Sequence, residues 1–170
     1  MLTEKCHMIL HLVALAITIR GKQIRTLASF FILLYPWGRE NELEIVFDSK
    51  TGNVRRFIES LKLPEEVPVV MIEPGLHILN PFVLVTYTTG FGNAPATTLE
   101  FLKSNHVNLK AVAASGNKIW GNNFARSADI ISDMYGVPIL MKFEMSGMPD
   151  DVETFKERVQ NIRYETHRTK

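Results

Sequence analysis

From residue 43 onward, short apolar runs alternate with segments whose apolar residues recur at helical spacing. Short runs rich in Val, Ile, Leu and Phe are typical of strands, and helical spacing is typical of helices that bury one face. Five runs fit strands: LEIVF from Leu43, VPVVMI from Val67, PFVLVTY from Pro81, LKAVAAS from Leu109 and PILMKFE from Pro138. The third run is apolar on both faces, which indicates a central strand of a parallel sheet.

Four segments between and after these runs predict helices. They are GNVRRFIESL, PATTLEFLKSN, the stretch Gly121–Tyr135 and PDDVETFKERVQNI. In the first of them Val54, Phe57 and Leu61 fall on one face, and Gly136 is placed to end the third. The stretch EPGLHILN, between the second and third strands, is too short for a helical crossover. We therefore expect a compact loop there.

The alternation of strands and helices predicts an α/β fold, with a parallel sheet covered by helices on both faces. In such sheets ligands bind at the carboxyl ends of the strands, near the point where the strand order reverses. The loops after the first, third and fourth strands are therefore the places to look for functional residues.

The loop after the first strand places Ser49, Thr51, Gly52 and Asn53 where a helix begins. Backbone N–H groups at a helix N-terminus have no partners inside the helix and attract anions. Hydroxyls add donors, and a glycine lets the backbone approach closely. The loop is therefore a candidate phosphate-binding site, although the patterns GxxxxGK[ST] and GxGxxG are both absent. An ordinary helix cap made by Ser49 or Thr51 is the alternative.

The loops after the third and fourth strands, Thr86–Pro95 and Ala114–Phe124, combine glycines, small polar residues and aromatic side chains. Three such loops at one sheet edge favour a ligand with a phosphate at one end and a flat ring at the other. Phe91 and Trp120 are candidates to stack on the ring, and the glycines would let backbone groups reach its edge. Core packing is the alternative for the aromatic residues, above all for Phe124.

The composition fits one globular domain in a reducing compartment. The chain has 170 residues, 46% of them hydrophobic, and a formal net charge of +1, which favours neither nucleic acid nor an acidic partner. Its single cysteine, Cys6, excludes an internal disulfide, which fits the cytoplasm. That cysteine and the five scattered histidines make no metal-ligand cluster, so no metal site is expected.

Residues 1–41 differ in character from the rest of the chain. They carry five Lys or Arg and two Asp or Glu, a net +3, whereas residues 42–170 carry fourteen and sixteen, a net −2. Their apolar runs, Met8–Ile19 and Leu27–Trp37, are shorter than the about 18 residues of a membrane-spanning helix. We predict an apolar N-terminal extension at 1–41, a domain at 42–162 and a charged tail at 163–170.

We further predict that the extension is translated upstream sequence and that the native chain starts at Leu43 or Val46. Ligand binding is then expected not to need residues 1–41. The rival interpretation is a pair of helices lying on a membrane surface, helped by Arg20, Lys22 and Arg25.

Four stretches of the chain resemble the NrdI family, the flavodoxin-like proteins that work with class Ib ribonucleotide reductase: DSKTGNVRRF, TYTTGFGNAP, AASGNKIWGNNFA and VPILMKFEMSG. The resemblance covers Leu43–Ile162, and residues 1–41 have no counterpart in it. It implies a flavodoxin-like three-layer sandwich with a five-stranded parallel sheet in the order 2-1-3-4-5. It also implies FMN as the cofactor.

The resemblance implies a function as well. In the family, reduced FMN reacts with oxygen, and the resulting superoxide or peroxide passes to the dimanganese site of the small reductase subunit, where it drives formation of a tyrosyl radical. Such a protein is a redox accessory flavoprotein of deoxyribonucleotide synthesis rather than a stand-alone enzyme, and its reductant is not identified by the sequence. A general flavodoxin-type electron carrier is the alternative. A receiver domain of the same fold would need a cluster of acids at the strand ends, where Asp48 stands alone.

Carried over by motif, the cofactor-binding residues form three groups. The phosphate would be held by Ser49, Thr51, Gly52, Asn53 and Val54. One side of the isoalloxazine ring would be lined by Thr88, Thr89, Gly90, Phe91 and Gly92. The other side would be lined by Ser115, Gly116, Asn117, Trp120 and Gly121. No catalytic residue is implied, because the flavin does the chemistry. The phosphate loop of ordinary flavodoxins usually ends in a hydroxyl residue, and Val54 departs from that pattern, so one contact would fall to the backbone or to Asn53.

The two ring loops also indicate redox behaviour. Thr86–Pro95 and Ala114–Phe124 contain no Asp or Glu and a single lysine, Lys118. Ordinary flavodoxins surround the ring with acids, which disfavour the anionic reduced ring by repulsion. Weaker repulsion should ease full two-electron reduction, and a peptide at Gly90 or Gly92 could flip a carbonyl toward flavin N5. Electron carriers dock basic partners through acidic surfaces, so acid-free loops count against the carrier alternative.

Overall fold

The structure, a computed structural model, describes residues 42–168, with side chains described as far as Arg163. The predictions for residues 1–41 fall outside the described residues: an apolar extension, an upstream origin, a native start downstream of it and no part in ligand binding. They stay predictions.

Five strands form one sheet in the order β2-β1-β3-β4-β5, and every neighbouring pair is parallel. The strands are β1 (Glu44–Phe47), β2 (Val69–Met71), β3 (Phe82–Tyr87), β4 (Leu109–Gly116) and β5 (Ile139–Glu144). Each follows the apolar run that predicted it to within about two residues at either end, a usual scatter for such boundaries. The predicted fold class and strand order are confirmed.

Within the described residues four α-helices accompany the sheet: α1 (Asn53–Ser60), α2 (Ala96–Asn105), α3 (Ser127–Tyr135) and α4 (Pro149–Arg168). Short 3₁₀ segments cover His106–Asn108 and Lys118–Asn123. The connection between β2 and β3 contains no helix, as expected from its length. In the described part of the chain, none of the helices has both the length and the apolar character needed to cross a bilayer.

Two hydrophobic clusters fill the space between the sheet and the helices on its two faces. One contains Ile45, Phe57 and Phe143, and the rings of Phe57 and Phe143 stack with their centroids 4.0 Å apart. The other contains Val46 and Phe101. Adjacent residues of β1 thus face opposite sides, as the two-residue period of a strand requires. The sheet is therefore the middle layer of a three-layer sandwich.

The predicted helix at Gly121–Tyr135 was wrong at its start, because α3 begins only at Ser127. Gly121 has φ 51° and ψ −119°, and Ala125 has φ 48°, so neither backbone can continue a right-handed helix. The end was right: Gly136 takes a left-handed conformation with φ 67° and donates its N–H to Ser132 at 2.8 Å.

The last helix continues to Arg168, six residues past the predicted end at Ile162. No glycine or proline follows Pro149 to stop it. The part of the predicted charged tail that the structure describes is therefore helical.

The first two helices lie on opposite faces of the sheet. Val54 and Phe57 of α1 belong to one hydrophobic cluster, and Phe101 and Leu102 of α2 belong to the other. Successive strands are added on one side of β1 at β2 and on its other side from β3 onward, so the strand order reverses between the neighbouring strands β1 and β3. Parallel α/β sheets bind ligands at the carboxyl edge beside such a switch point.

Candidate functional site

A cavity of about 360 Å³ opens at this carboxyl edge. Ten of the fifteen predicted site residues line it: Ser49, Thr51, Asn53, Val54, Thr88, Thr89, Gly90, Gly116, Asn117 and Trp120. The structure thus brings together the loops after β1, β3 and β4, as the sequence predicted. The other five do not line the cavity: Gly52, Phe91, Gly92 and Gly121 lie in the same loops, and Ser115 lies near the end of β4.

The loop after β1 presents unused backbone donors to the cavity. Gly52 has φ 81° and precedes the first residue of α1. Among the described residues, nothing accepts a hydrogen bond from the N–H groups of residues 51–54. The N–H of Arg55, the next along, donates to Ser49 Oγ at 3.1 Å. Ser49 therefore caps one N–H group of the helix, as the alternative expected. The N–H groups of residues 51–54 remain free to bind an anion.

One positive charge belongs to the lining of the cavity. Lys50, which was not among the predicted site residues, is the only charged residue at neutral pH in the lining that residues 42–168 form. Asp and Glu are absent from the lining formed by the described residues. The electrostatic character of the cavity therefore suits an anionic ligand.

Two carboxylates at the same sheet edge, Asp48 after β1 and Glu144 at the end of β5, lie outside the lining and have partners of their own. Asp48 Oδ2 accepts hydrogen bonds from the hydroxyls of Thr97 and Thr98, the latter at 2.8 Å. Glu144 accepts the backbone N–H of Lys118 at 3.2 Å, and its other oxygen lies 3.6 Å from the Lys118 ammonium. These partners partly compensate the negative charge of the two carboxylates and so weaken its effect in the cavity.

The loop after β3 is a tight turn closed by Thr89 and Asn93. These residues exchange two backbone hydrogen bonds, each of 2.9 Å. Gly90 (φ 53°) and Gly92 (φ 91°) take left-handed conformations that favour glycine. A Cβ on Gly92 would also lie 2.7 Å from Asn123 Oδ1, so a larger residue here would have to displace the Asn123 side chain. The turn is held at its ends, while its middle carries no backbone hydrogen bond within the described chain.

Thr88, just before this turn, fixes the start of α3. Its Oγ1 lies 2.9 Å from Ser127 Oγ and accepts the Ser127 N–H at 3.1 Å. Its own N–H donates to the carbonyl of Ser115 at 2.9 Å. Although Thr88 lines the cavity, its hydroxyl is already engaged.

Gly116, the last residue of β4, packs closely against the backbone of Ala125. A Cβ there would lie 2.4 Å from the backbone nitrogen of Ala125. Gly121 has open space around it, so its role is its backbone conformation, not its lack of a side chain. Ser115 is buried, and its hydroxyl donates to the carbonyl of Met145 at 2.6 Å. Ser115 is therefore placed as a structural residue that positions the loop after β5.

Phe91 and Trp120 are both exposed beside the cavity, at 78% and 52% of their surface. The core-packing alternative is wrong for these two residues. Phe124, by contrast, is partly buried against the cluster around Leu84, as that alternative expected for it.

Three further lining residues, Tyr87, Asn123 and Met145, were also missed. Burial, followed by the nearby carboxylate of Asp48, raises the pKa of Tyr87 above its ordinary value of 10.0, against a smaller lowering by Thr97. Tyr87 is therefore a neutral hydroxyl at physiological pH. Met145 could have been found, because it directly follows β5 and so reaches the carboxyl edge. Tyr87 and Asn123 lie within the two loops predicted to line the ring, but neither was selected there as a ligand residue.

Taken by their chemistry, the lining residues fit a ligand of two parts. Free N–H groups, the Thr51 hydroxyl and a lysine suit a phosphate. Trp120 and the glycine-rich turn after β3 suit a flat ring with polar edges.

Comparison with known proteins gives the family. A family model described as NrdI Flavodoxin like matches residues 45–157. The chain is 52% identical over 120 residues to Protein NrdI of Bacillus licheniformis, a match that covers 71% of this chain and 89% of that protein. It is 45% identical over 126 residues to Protein NrdI of Macrococcus caseolyticus, covering 74% and 95%.

A solved structure with a similar fold is the flavodoxin of Fusobacterium nucleatum bound to flavin mononucleotide. The TM-score is 0.53, the sequence identity is 13%, and the match covers 72% of this chain and 97% of that one. At such identity the likeness concerns the fold.

Proposed function

This chain belongs to the NrdI family of flavodoxin-like proteins, and from that premise we propose that it binds FMN and activates the small, dimanganese subunit of class Ib ribonucleotide reductase. It works in the cytoplasm as a redox accessory protein rather than as a stand-alone enzyme, and it receives electrons from a separate reductant. The observation that carries the proposal is the cavity at the carboxyl edge, which joins free backbone donors, exposed aromatic rings and a lining without acids.

The chain's own residues bind the two ends of the cofactor differently. The phosphate would be held by the free N–H groups of residues 51–54 and by the hydroxyl of Thr51. The ring would be held by Trp120, Gly116 and the turn after β3. Gly52, with φ 81°, sets the direction in which the first turn of α1 presents its N–H groups.

When bound and reduced, FMN supplies electrons to oxygen, and the superoxide or peroxide that results is used to assemble the dimanganese–tyrosyl radical cofactor. The cavity favours this reaction because its lining, as far as the structure describes it, carries no carboxylate that would repel negative charge on the reduced ring. The exposed Phe91 and Trp120 leave the mouth of the cavity accessible to oxygen. The middle of the turn at Gly90 and Gly92 is unpinned, so a peptide there can turn a carbonyl toward flavin N5.

The reaction with oxygen distinguishes the proposed function from the alternative, a general flavodoxin-type electron carrier. The FMN-loaded protein is freed of unbound flavin, reduced by light without oxygen in the presence of EDTA as the electron donor, and then exposed to air. We expect rapid oxygen uptake with superoxide or peroxide as the product. A reduced protein that persists in air, yet passes electrons readily to a haem protein, would support the carrier instead.

A further inference from the structure

The phosphate end of the cavity lacks a hydroxyl group at Val54, where the phosphate loop of ordinary flavodoxins usually has one. A phosphate monoester carries a charge of about −1.5 to −2 at neutral pH. Neutral N–H and hydroxyl donors compensate only part of it. Val54 offers no hydroxyl, and its side chain is 1% exposed within the hydrophobic core, so it cannot reach a ligand except through its backbone.

Three cations lie close to this loop in the sequence, and the guanidinium groups of the two arginines have partners within the protein. The Arg55 guanidinium donates to Met71 Sδ at 3.0 Å and lies 6.0 Å from the centre of the Phe47 ring. The Arg56 guanidinium donates to Asn53 Oδ1 at 2.5 Å. Neither residue lines the cavity.

Lys50 differs from both arginines in position and in partners. It lines the cavity beside Ser49 and Thr51 and is exposed. Within residues 42–168, its ammonium group makes no hydrogen bond or ion pair. It also lines the neighbouring groove, together with Asp48 and Tyr87. The Asp48 carboxylate accepts the hydroxyls of Thr97 and Thr98 and forms no ion pair with Lys50, so the ammonium is free to turn toward either space.

We propose that Lys50 supplies the counter-charge for the FMN phosphate, in place of the hydroxyl that Val54 lacks. The inference rests on the proposed function, because it needs FMN in this cavity. It makes Lys50 a specificity residue: it distinguishes FMN from riboflavin, which has the same ring and no phosphate. An ammonium group acts here as a point charge that need not form a fixed pair of bonds.

The test measures the dissociation constants of FMN and riboflavin for the wild-type protein and for Lys50→Met, by quenching of flavin fluorescence. We expect Lys50→Met to weaken FMN binding about fivefold at low ionic strength, the size typical of an exposed charge pair. Riboflavin binding should stay unchanged. Lys50→Arg, which keeps the charge, should bind FMN almost as well as the wild type.

Arg55→Met is the matched control, because it removes one positive charge five positions further along the chain. Its FMN affinity should stay close to that of the wild type, since the Arg55 guanidinium is turned toward Met71 and Phe47. Added salt should weaken FMN binding in the wild type more than in Lys50→Met, because screening acts on the charge pair.

Two results would overturn the role of Lys50 while leaving the proposed function intact. One is unchanged FMN affinity in Lys50→Met, and the other is an equal loss of FMN and riboflavin affinity. A wild-type protein that binds neither flavin would overturn the proposed function, and the role of Lys50 with it.

Discussion

The ring of Phe91, on the loop after β3, meets the ring of Trp120, on the loop after β4, edge to face. Their centroids lie 6.2 Å apart and their planes meet at 87°. Aromatic pairs prefer this geometry, but here both rings remain exposed to solvent beside a cavity. The contact links two loops that the sequence separates by almost thirty residues. It also leaves aromatic surface available to cover a flat ligand.

Trp120→Leu is expected to weaken FMN and riboflavin binding by the same factor, about tenfold, because stacking of a flat base on an aromatic ring contributes about 1–3 kcal/mol. Flavin fluorescence titration measures both constants. Ile119→Ala is the control, since Ile119 is 84% exposed and does not line the cavity. A loss confined to FMN would mean that Trp120 acts on the phosphate end instead.

Gly52→Ala is expected to lower FMN affinity and to cost about 1 kcal/mol of folding stability, because φ 81° is unfavourable for any residue with a Cβ. Gly75→Ala provides the control. Gly75 has nearly the same φ, 80°, with open space around it, and it lies outside the cavity lining. Both variants should lose stability in denaturant titrations, and only Gly52→Ala should lose FMN. Full FMN affinity in Gly52→Ala would show that this loop is misassigned.

Gly116→Ala is expected to destabilise the fold by about 1–3 kcal/mol, the usual cost of forcing an extra group into a packed site. The added Cβ would lie 2.4 Å from the backbone nitrogen of Ala125, so the segment before α3 has to move. Denaturant unfolding gives the loss, and the amide NMR signal of Ala125 reports the displacement. Gly121→Ala, which meets no atom within 4 Å, should leave that signal in place. An unshifted Ala125 signal in Gly116→Ala would contradict the packing described here.

The sequence predicted those parts of the fold that depend on apolar spacing. Every strand, the start of α1 at Asn53 and the end of α3 at Gly136 could be read from runs, spacing and glycine placement. The start of α3 could not. Ala125 takes φ 48°, a conformation that alanine rarely adopts, because its backbone packs directly against Gly116 nine residues earlier. Tertiary contact overrides local preference at that point.

The candidate site could likewise be predicted where the signal lies in the local sequence, and could not where it depends on tertiary contacts. Glycine-rich loops at the strand ends identified most of the cavity lining. Ser115 looked like a ligand residue, but its hydroxyl is used by the carbonyl of Met145 across the sheet edge. Lys50 lay inside the first loop, yet its importance depends on where Arg55 and Arg56 point, which only the folded arrangement specifies.

Asn93→Asp is expected to lower the midpoint potential of the reduction step that leaves the flavin ring anionic, by repulsion on the order of 1 kcal/mol or less. Asn93 is exposed, and its side-chain nitrogen lies 3.7 Å from the position that a Cβ on Gly90 would take. Gln160→Glu adds the same charge on the exposed face of α4 and is the control. Stepwise reductive titration followed by absorbance gives the potentials. Equal shifts of the potential in both variants would mean that the potential responds to the net charge of the protein, and that a charge in the ring loops has no larger effect than a charge elsewhere.

The yield of tyrosyl radical in a class Ib reductase small subunit tests the central claim most directly. The subunit is loaded with manganese, mixed in air with the reduced, FMN-loaded protein, and examined by electron paramagnetic resonance. The account predicts a tyrosyl radical signal that requires both oxygen and the reduced protein. It also predicts a clearly larger signal than an equal amount of free reduced FMN gives. A signal no larger than that of free FMN, or none at all while the reduced protein consumes oxygen, would contradict it.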